Sequence, residues 1–376
     1  MKPCTHWLRS IVVAVLVATA SLPITPAAAN GIGTVYVASE VGSSISVIDS
    51  TTNTVVEVVP LNRSPLSIAF SPDAHFVYVS HLDSNVVSIL DTSVEDITAS
   101  LKLGSQVAHV AVTSGGAWLL ATDPQEGVLR VVDTNSRREL YSVPVGGRPE
   151  QLAVSQDGTV AVVTDRASGL VSVIDLSTRS VVRTHSAAEG DLYPAVSPTG
   201  KEMFVASKSS PDLLVLDTAT GQLTRTIHAG PASAAIGFSP VGDVLYLPRQ
   251  DKNEVLIVDA ASGTARGSVA IPSTASSLGL SKDGTKAYVA LAAIDRVAVI
   301  DPATRSVMAE VQVEARPTRV AVSPLQPKPA SVKMPGALPN TGDGSSPHLP
   351  PAATLALSLL VIGAGLAAWH RAKARL

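Results

Sequence analysis

Apolar residues along most of this chain come in short runs, each broken by Gly, Asp, Asn, Ser, Thr or Pro. In one representative stretch the runs fall at 66–70 (Leu-Ser-Ile-Ala-Phe), 76–80 (Phe-Val-Tyr-Val-Ser), 86–90 (Val-Val-Ser-Ile-Leu) and 96–103. Apolar residues fall largely at alternate positions, which suits pleated strands. Both faces carry them, so each strand is expected to be covered on two sides. The breaks read as tight turns, in which short polar side chains satisfy backbone N–H groups locally. The pattern predicts four strands, each turning back on the one before.

This unit repeats. Asp49, Asp91, Asp133, Asp175, Asp217, Asp259 and Asp301 close an apolar run at a constant interval of 42 residues. Ser71, Thr113, Ser155, Ser197, Ser239, Ser281 and Ser323 open a turn at the same interval, and Tyr36, Tyr78, Leu120, Val162, Phe204, Tyr246 and Tyr288 mark a strand. A period near 40 with four short strands predicts an all-β fold, a seven-bladed β-propeller with four-stranded blades. The first repeat lacks its inner strand. Thr318–Val322 at the far end is expected to supply it and close the ring beside 34–38, 44–48 and 54–59. One inner-strand position stays tiny throughout (Ala69, Ala111, Ala153, Ala195, Gly237, Gly279, Ala321), as close approach near an axis requires.

The seven aspartates invite a catalytic reading, but Ser or Thr usually follows three residues later. That spacing describes Asx-type turns. Val35-Tyr36-Val37-Ala38, Val47-Ile48-Asp49-Ser50 and Ser281-Lys282-Asp283-Gly284 resemble the phrases of YVTN-type β-propeller repeats, over about 31–323. The resemblance implies a bacterial or archaeal surface protein. Related propellers include lactonase-like enzymes and large subunits of periplasmic dehydrogenases, so it implies a fold far more than an activity.

The two ends read as addresses. Lys2 and Arg9, the apolar core Ile11–Ala20 and the small residues Ala27–Ala29 form a secretory signal over 1–29. Cys4, the single cysteine, lies inside it, which leaves the exported part without a thiol. Proline marks 324–337 as an extended linker. Then come Leu338-Pro339-Asn340-Thr341-Gly342, an apolar stretch at 352–369 long enough to span a hydrocarbon core, and the basic residues Arg371, Lys373 and Arg375. This order, over 338–376, resembles the LPxTG sorting signals of Gram-positive surface proteins. The resemblance implies a sortase that cuts between Thr341 and Gly342 and links Thr341 to cell-wall peptidoglycan.

Without these segments the formal charge changes from −3 to −7, since Lys2, Arg9, Arg371, Lys373, Arg375 and Asp343 drop out. An acidic domain without a basic stripe argues against nucleic acid as a partner.

Equivalent positions of the repeats can be compared directly. The second residue of each inner strand reads Ser67, His109, Gln151, Tyr193, Ala235, Ser277, Arg319; the residue after the second strand reads Ser39, His81, Asp123, Asp165, Ser207, Arg249, Leu291. Both sets are expected around the central funnel, on the face opposite the aspartate turns. His81, His109, Asp123 and Asp165 would there ligate a divalent metal or act as acid and base. Alternatively, Arg319 and Arg249 with Tyr193 would hold an anion, or the rim is simply solvated. No phosphate loop, nucleophile elbow, zincin helix or haem-attachment motif occurs, and every loop has minimal length. The leading expectation is a non-catalytic, cell-wall-anchored surface protein that presents a ligand- or partner-binding face. It needs no cofactor, although a divalent metal fits the His/Asp set. The alternatives are an extracellular lactonase-like or metal-dependent hydrolase and a scaffold for an electron-transfer partner.

Overall fold

In a computed structural model, residues 33–324 are described, apart from 188, 189, 233, 235 and 250. They form seven four-stranded antiparallel sheets arranged as a ring, a seven-bladed β-propeller. Blade two consists of Pro65–Phe70, Phe76–His81, Val86–Asp91 and Asp96–Lys102, within a residue of the predicted runs. Its two middle strands are buried almost throughout, because neighbouring blades cover both faces. The inner strands are half-buried along residues such as 68–70, 153–154 and 194–196, where they face the axis.

The core lies between blades. Tyr36, Ile45 and Val47 of blade one pack against Val77, Val79 and Leu90 of blade two, while Val35, Val37 and Ile48 pack against Tyr288, Ala290 and Val297 of blade seven. Blade one is completed by Pro317–Val322, which pairs with Val35–Ser39 and places Val322 opposite Val35. Ser323 N–H then donates to the Thr34 carbonyl at 2.8 Å. Closure removes the open edge that a free inner strand would present. The close approach near the axis is equally direct. A Cβ on Gly237 would overlap the side-chain tips of Leu278 and Leu280 on the next blade.

The aspartates make turns. Asp49 Oδ1 accepts from Thr51 N at 2.7 Å, Asp175 Oδ1 accepts from Ser177 N at 2.7 Å and Thr178 N at 3.0 Å, and Asp217 Oδ1 accepts from Thr220 N at 2.8 Å. Beside them on the same face, Ser71 Oγ donates to Asp73 at 2.5 Å and accepts from Phe76 N at 2.9 Å, a bracket repeated at Ser155 and Ser281.

A further periodic set ties blade to blade. Ser80, Thr122 and Thr164, again 42 apart, each donate a hydroxyl to a carbonyl at the start of the next blade: Ala108 (2.9 Å), Glu150 (2.9 Å) and Leu192 (3.3 Å). Blade seven has Ala290 at this position, and Ser276 instead reaches Pro317 at 2.6 Å. Thr122 also accepts from His109 N at 3.0 Å. Replacing it by the isosteric valine leaves a buried donor and acceptor unsatisfied, so Thr122→Val should cost about 2 kcal/mol in urea unfolding. An unchanged midpoint would mean the tie contributes nothing.

The leader at 1–29, the linker beyond residue 324, the Leu338–Gly342 motif and the apolar span at 352–369 lie outside the described residues. Among the described residues no helix is long and apolar enough to cross a membrane.

Candidate functional site

Hairpins 40–43 and 82–85 and the inter-blade loops share one face. Glu40 N–H reaches the Arg316 carbonyl at 2.9 Å, and Leu82 N–H reaches that of Ser64 at 2.9 Å. Two open clefts meet there. One, of ≈ 400 Å³, runs across blades two to four and is lined by Leu66, Gln106, Arg148, Glu150 and Arg166. The other, of ≈ 410 Å³, is lined by Glu40, Lys208, Thr274, Thr318 and Arg319. Leu66 borders both, so together they form the mouth of the funnel.

The second ring does not project into this mouth. His81, Asp123 and Asp165 are 0%, 0% and 7% exposed. His81 Nε2 lies 2.8 Å from Ser88 Oγ, and burial pushes this imidazole below its ordinary range. Asp123 Oδ2 accepts from Ser105 N at 2.9 Å, while its Oδ1 accepts from Gln125 N and Glu126 N, both at 3.1 Å. Asp165 repeats the arrangement with Arg148 N (2.7 Å), Ala167 N (2.7 Å) and Ser168 N (3.0 Å). Each carboxylate therefore fastens its own hairpin to the loop arriving from the previous blade. The expected convergence of His81, His109, Asp123 and Asp165 on a metal is corrected accordingly, because Asp123 and Asp165 are turned to loop amides and His81 to a serine, which leaves His109 without them. Among the described residues no group of three or more His, Cys, Asp or Glu is placed to hold a metal ion.

Arg249 is likewise committed. It binds Asp251 through Nε (3.0 Å) and Nη2 (2.6 Å) and lies 3.9 Å from Glu254. It packs over Gly230, where a Cβ would come 2.5 Å from the guanidinium carbon. With its charge matched, it does not join Arg319 and Tyr193 as the holder of an anion.

The inner-strand ring divides in two. Ser67 and Ser277 face the neighbouring strand and accept from Val110 N (3.3 Å) and Val320 N (3.0 Å). Ala235 is outside the described residues. The remaining four turn to the axis. Arg319 of blade one reaches Gln151 of blade four, Nη2 to Oε1 at 3.5 Å, and its Nη1 donates to the Thr318 carbonyl at 3.3 Å. Its Nε is buried without a hydrogen-bond partner, as is His109 Nδ1. The channel leaves both side chains half-buried. Burial, and then the charge of Arg319, pushes His109 down to about 3, so it is a neutral imidazole at ordinary pH. Burial, reinforced by Asp191, pushes the Tyr193 phenol up to about 12, where it keeps its proton. Burial also lowers Arg319, against the opposing influence of Tyr193, Glu150 and Asp191.

One prominent residue escaped the sequence comparison. Arg130, 7% exposed, donates to Asp123 through Nη2 at 3.1 Å, to Glu139 at 3.0 Å and to Glu126. The equivalent residue in the other blades is Ser46, Ser88, Ser172, Leu214, Leu256 or Ala298. Comparing third-strand positions as well would have exposed the departure.

No family model matches the chain, and no curated protein matches it. Solved structures do. Hydrazine synthase of Kuenenia stuttgartiensis is 21% identical, with a TM-score of 0.63 over 72% of this chain and 93% of that one. A functionally unknown protein from Desulfotomaculum acetoxidans is 15% identical, with a TM-score of 0.69 over 79% and 100%. The β-propeller domain of Myceliophteria thermophila Cps50 is 13% identical, with a TM-score of 0.59 over 72% and 98%. What they share with this chain is the propeller fold. At such identities no activity transfers.

Proposed function

We propose that this protein is a secreted, cell-wall-anchored β-propeller of the YVTN repeat type that binds a ligand through its funnel face. The anchor reading rests on sequence: Leu338-Pro339-Asn340-Thr341-Gly342, the apolar span and the basic end stand in the order that a sortase substrate requires. The binding reading rests on one observation. Arg319 lies at the base of the funnel, and among the described residues no carboxylate comes within ion-pairing distance of it. A desolvated cation without a counter-ion is costly to keep, and a bound partner would offset that cost. The hydrolase alternative asked the His/Asp set to meet; Asp123 and Asp165 instead fasten loops, and His81 is buried against Ser88.

The chain leaves the ring at Ser323, beside the aspartate turns, so a wall tether there points the funnel outward. Epitope tags placed at Val41 on the funnel face and at Val241 on the opposite face test this on intact Gram-positive cells. Stronger antibody labelling at Val41, with the protein shed or retained in membranes once Thr341 and Gly342 are replaced, is the expected result. Better labelling at Val241 would reverse the orientation, and unchanged wall retention without the motif would end the sortase reading.

A further inference from the structure

Blade four stands three places from blade one, as far round a seven-membered ring as two blades can be. The 3.5 Å contact between Arg319 and Gln151 therefore carries the guanidinium across the axial channel. Nothing in the repeat demands this, since the equivalent residues Ser67 and Ser277 serve as inter-strand ties with short side chains.

The donor count points the same way. A guanidinium carries five N–H groups. Two of them find acceptors, at the long distances of 3.3 and 3.5 Å, and Nε finds none. Buried polar groups left in this state need a cause. The acidic groups whose charge reaches Arg319 are occupied elsewhere. Glu150 lies 3.6 Å from Arg166, and Asp191 lies 3.0 Å from Arg166 and 3.3 Å from Lys208. At the rim, Glu40 is paired with Arg316 at 3.3 Å. With these carboxylates paired elsewhere, the positive charge of Arg319 is left unmatched on the axis beneath the mouth.

The neighbours of that charge refine the ligand. His109 and Tyr193 are both neutral at ordinary pH, and Gln151 supplies an amide. One cation among neutral hydrogen-bonding groups suits a single negative charge. A multiply charged anion such as a phosphate ester would usually be met by several cations. The planar guanidinium matches a planar two-oxygen acceptor, in the paired N–H to oxygen geometry that Arg makes with carboxylates. The ≈ 410 Å³ cleft that reaches Arg319 from solvent gives entry.

We propose that the axial site formed by Arg319, His109, Gln151 and Tyr193 binds a small organic monocarboxylate, whose carboxylate seats on Arg319. This rests on the funnel-binding reading and names its ligand class. The body of the ligand occupies the cleft, and Leu66 supplies apolar contact at its edge.

The test is a melting titration of the purified protein with sodium acetate and sodium benzoate, against sodium chloride and phosphate at matched ionic strength. A saturable rise, about 5 °C at a hundredfold excess over Kd, is expected with a carboxylate and not with chloride or phosphate. Arg319→Gln should abolish it. Arg319→Lys keeps the charge, loses the fork and should weaken binding about tenfold. Without ligand, Arg319→Gln should melt at or above the wild type, because an uncompensated buried charge is removed. Equal shifts with chloride, a shift that survives in Arg319→Gln, or no shift with either carboxylate would overturn the proposal. So would a ligand-free Arg319→Gln that melts well below the wild type, which would make the arginine structural. Surface labelling of the tagged protein is read independently of Arg319. A failed titration with intact labelling therefore ends the carboxylate assignment alone.

Discussion

Replacing Arg130 with methionine is expected to destabilise the propeller by about 3 kcal/mol at neutral pH, because it strands a buried carboxylate. Asp123 is fully buried and Arg130 nearly so, at 3.1 Å. The contacts to Glu126 and Glu139 are more exposed and contribute little of this. Burial alone would push the Asp123 carboxyl up. Donation from Ser105 N, Glu126 N and the guanidinium outweighs burial and holds it below the ordinary range. A carboxylate held low stabilises the fold above its unfolded pKa, near 3.9, and that contribution disappears as pH falls through the lower folded value. The methionine variant lacks the arginine's share. Its deficit should be widest at neutral pH and narrow below about pH 4. Urea unfolding at pH 7 and pH 3.5 measures it, and a deficit equal at both would mean that only packing was lost.

The second large effect separates two adjacent glycines. Gly146 and Gly147 both have positive φ, 77° and 57°. A Cβ on Gly146 would meet nothing within 4 Å, whereas one on Gly147 would collide with the carboxylate of Asp165. Gly146→Ala should therefore cost only the conformational penalty of about 1–2 kcal/mol. Gly147→Ala adds displacement of a carboxylate that holds three backbone N–H groups, and should reach about 3–5 kcal/mol in total. Equal midpoints for the two variants in urea would show that Asp165 relocates freely and that its staple is weak.

Blade number, strand positions, ring closure and the role of the turn aspartates were legible because each depends on backbone periodicity, and a repeat of constant length displays that directly. Side-chain direction is a different matter. Asp123 and Asp165 occupy the expected positions beside the funnel, but a carboxylate next to unsatisfied loop N–H groups turns to them rather than to open solvent. Aligned repeats show where a residue sits and not which neighbour wins its lone pairs. Arg249 failed as an anion holder for the same reason, since Asp251 is two residues away on its own hairpin. Arg319 could be singled out as a departure at its repeat position. Its crossing to Gln151, 168 residues away, follows only from the closed ring.

That closure also makes the molecule a gauge of its own length. The strand Val35–Ser39 is wholly buried, and its second partner is almost the last segment of the ring to be made. A chain that stops before Pro317 cannot settle as a smaller wheel. It keeps an apolar edge waiting, which will accept a strand from any copy that has one to lend. The last six residues of the ring thus distinguish a finished disc, indifferent to its neighbours, from a fragment that seeks them.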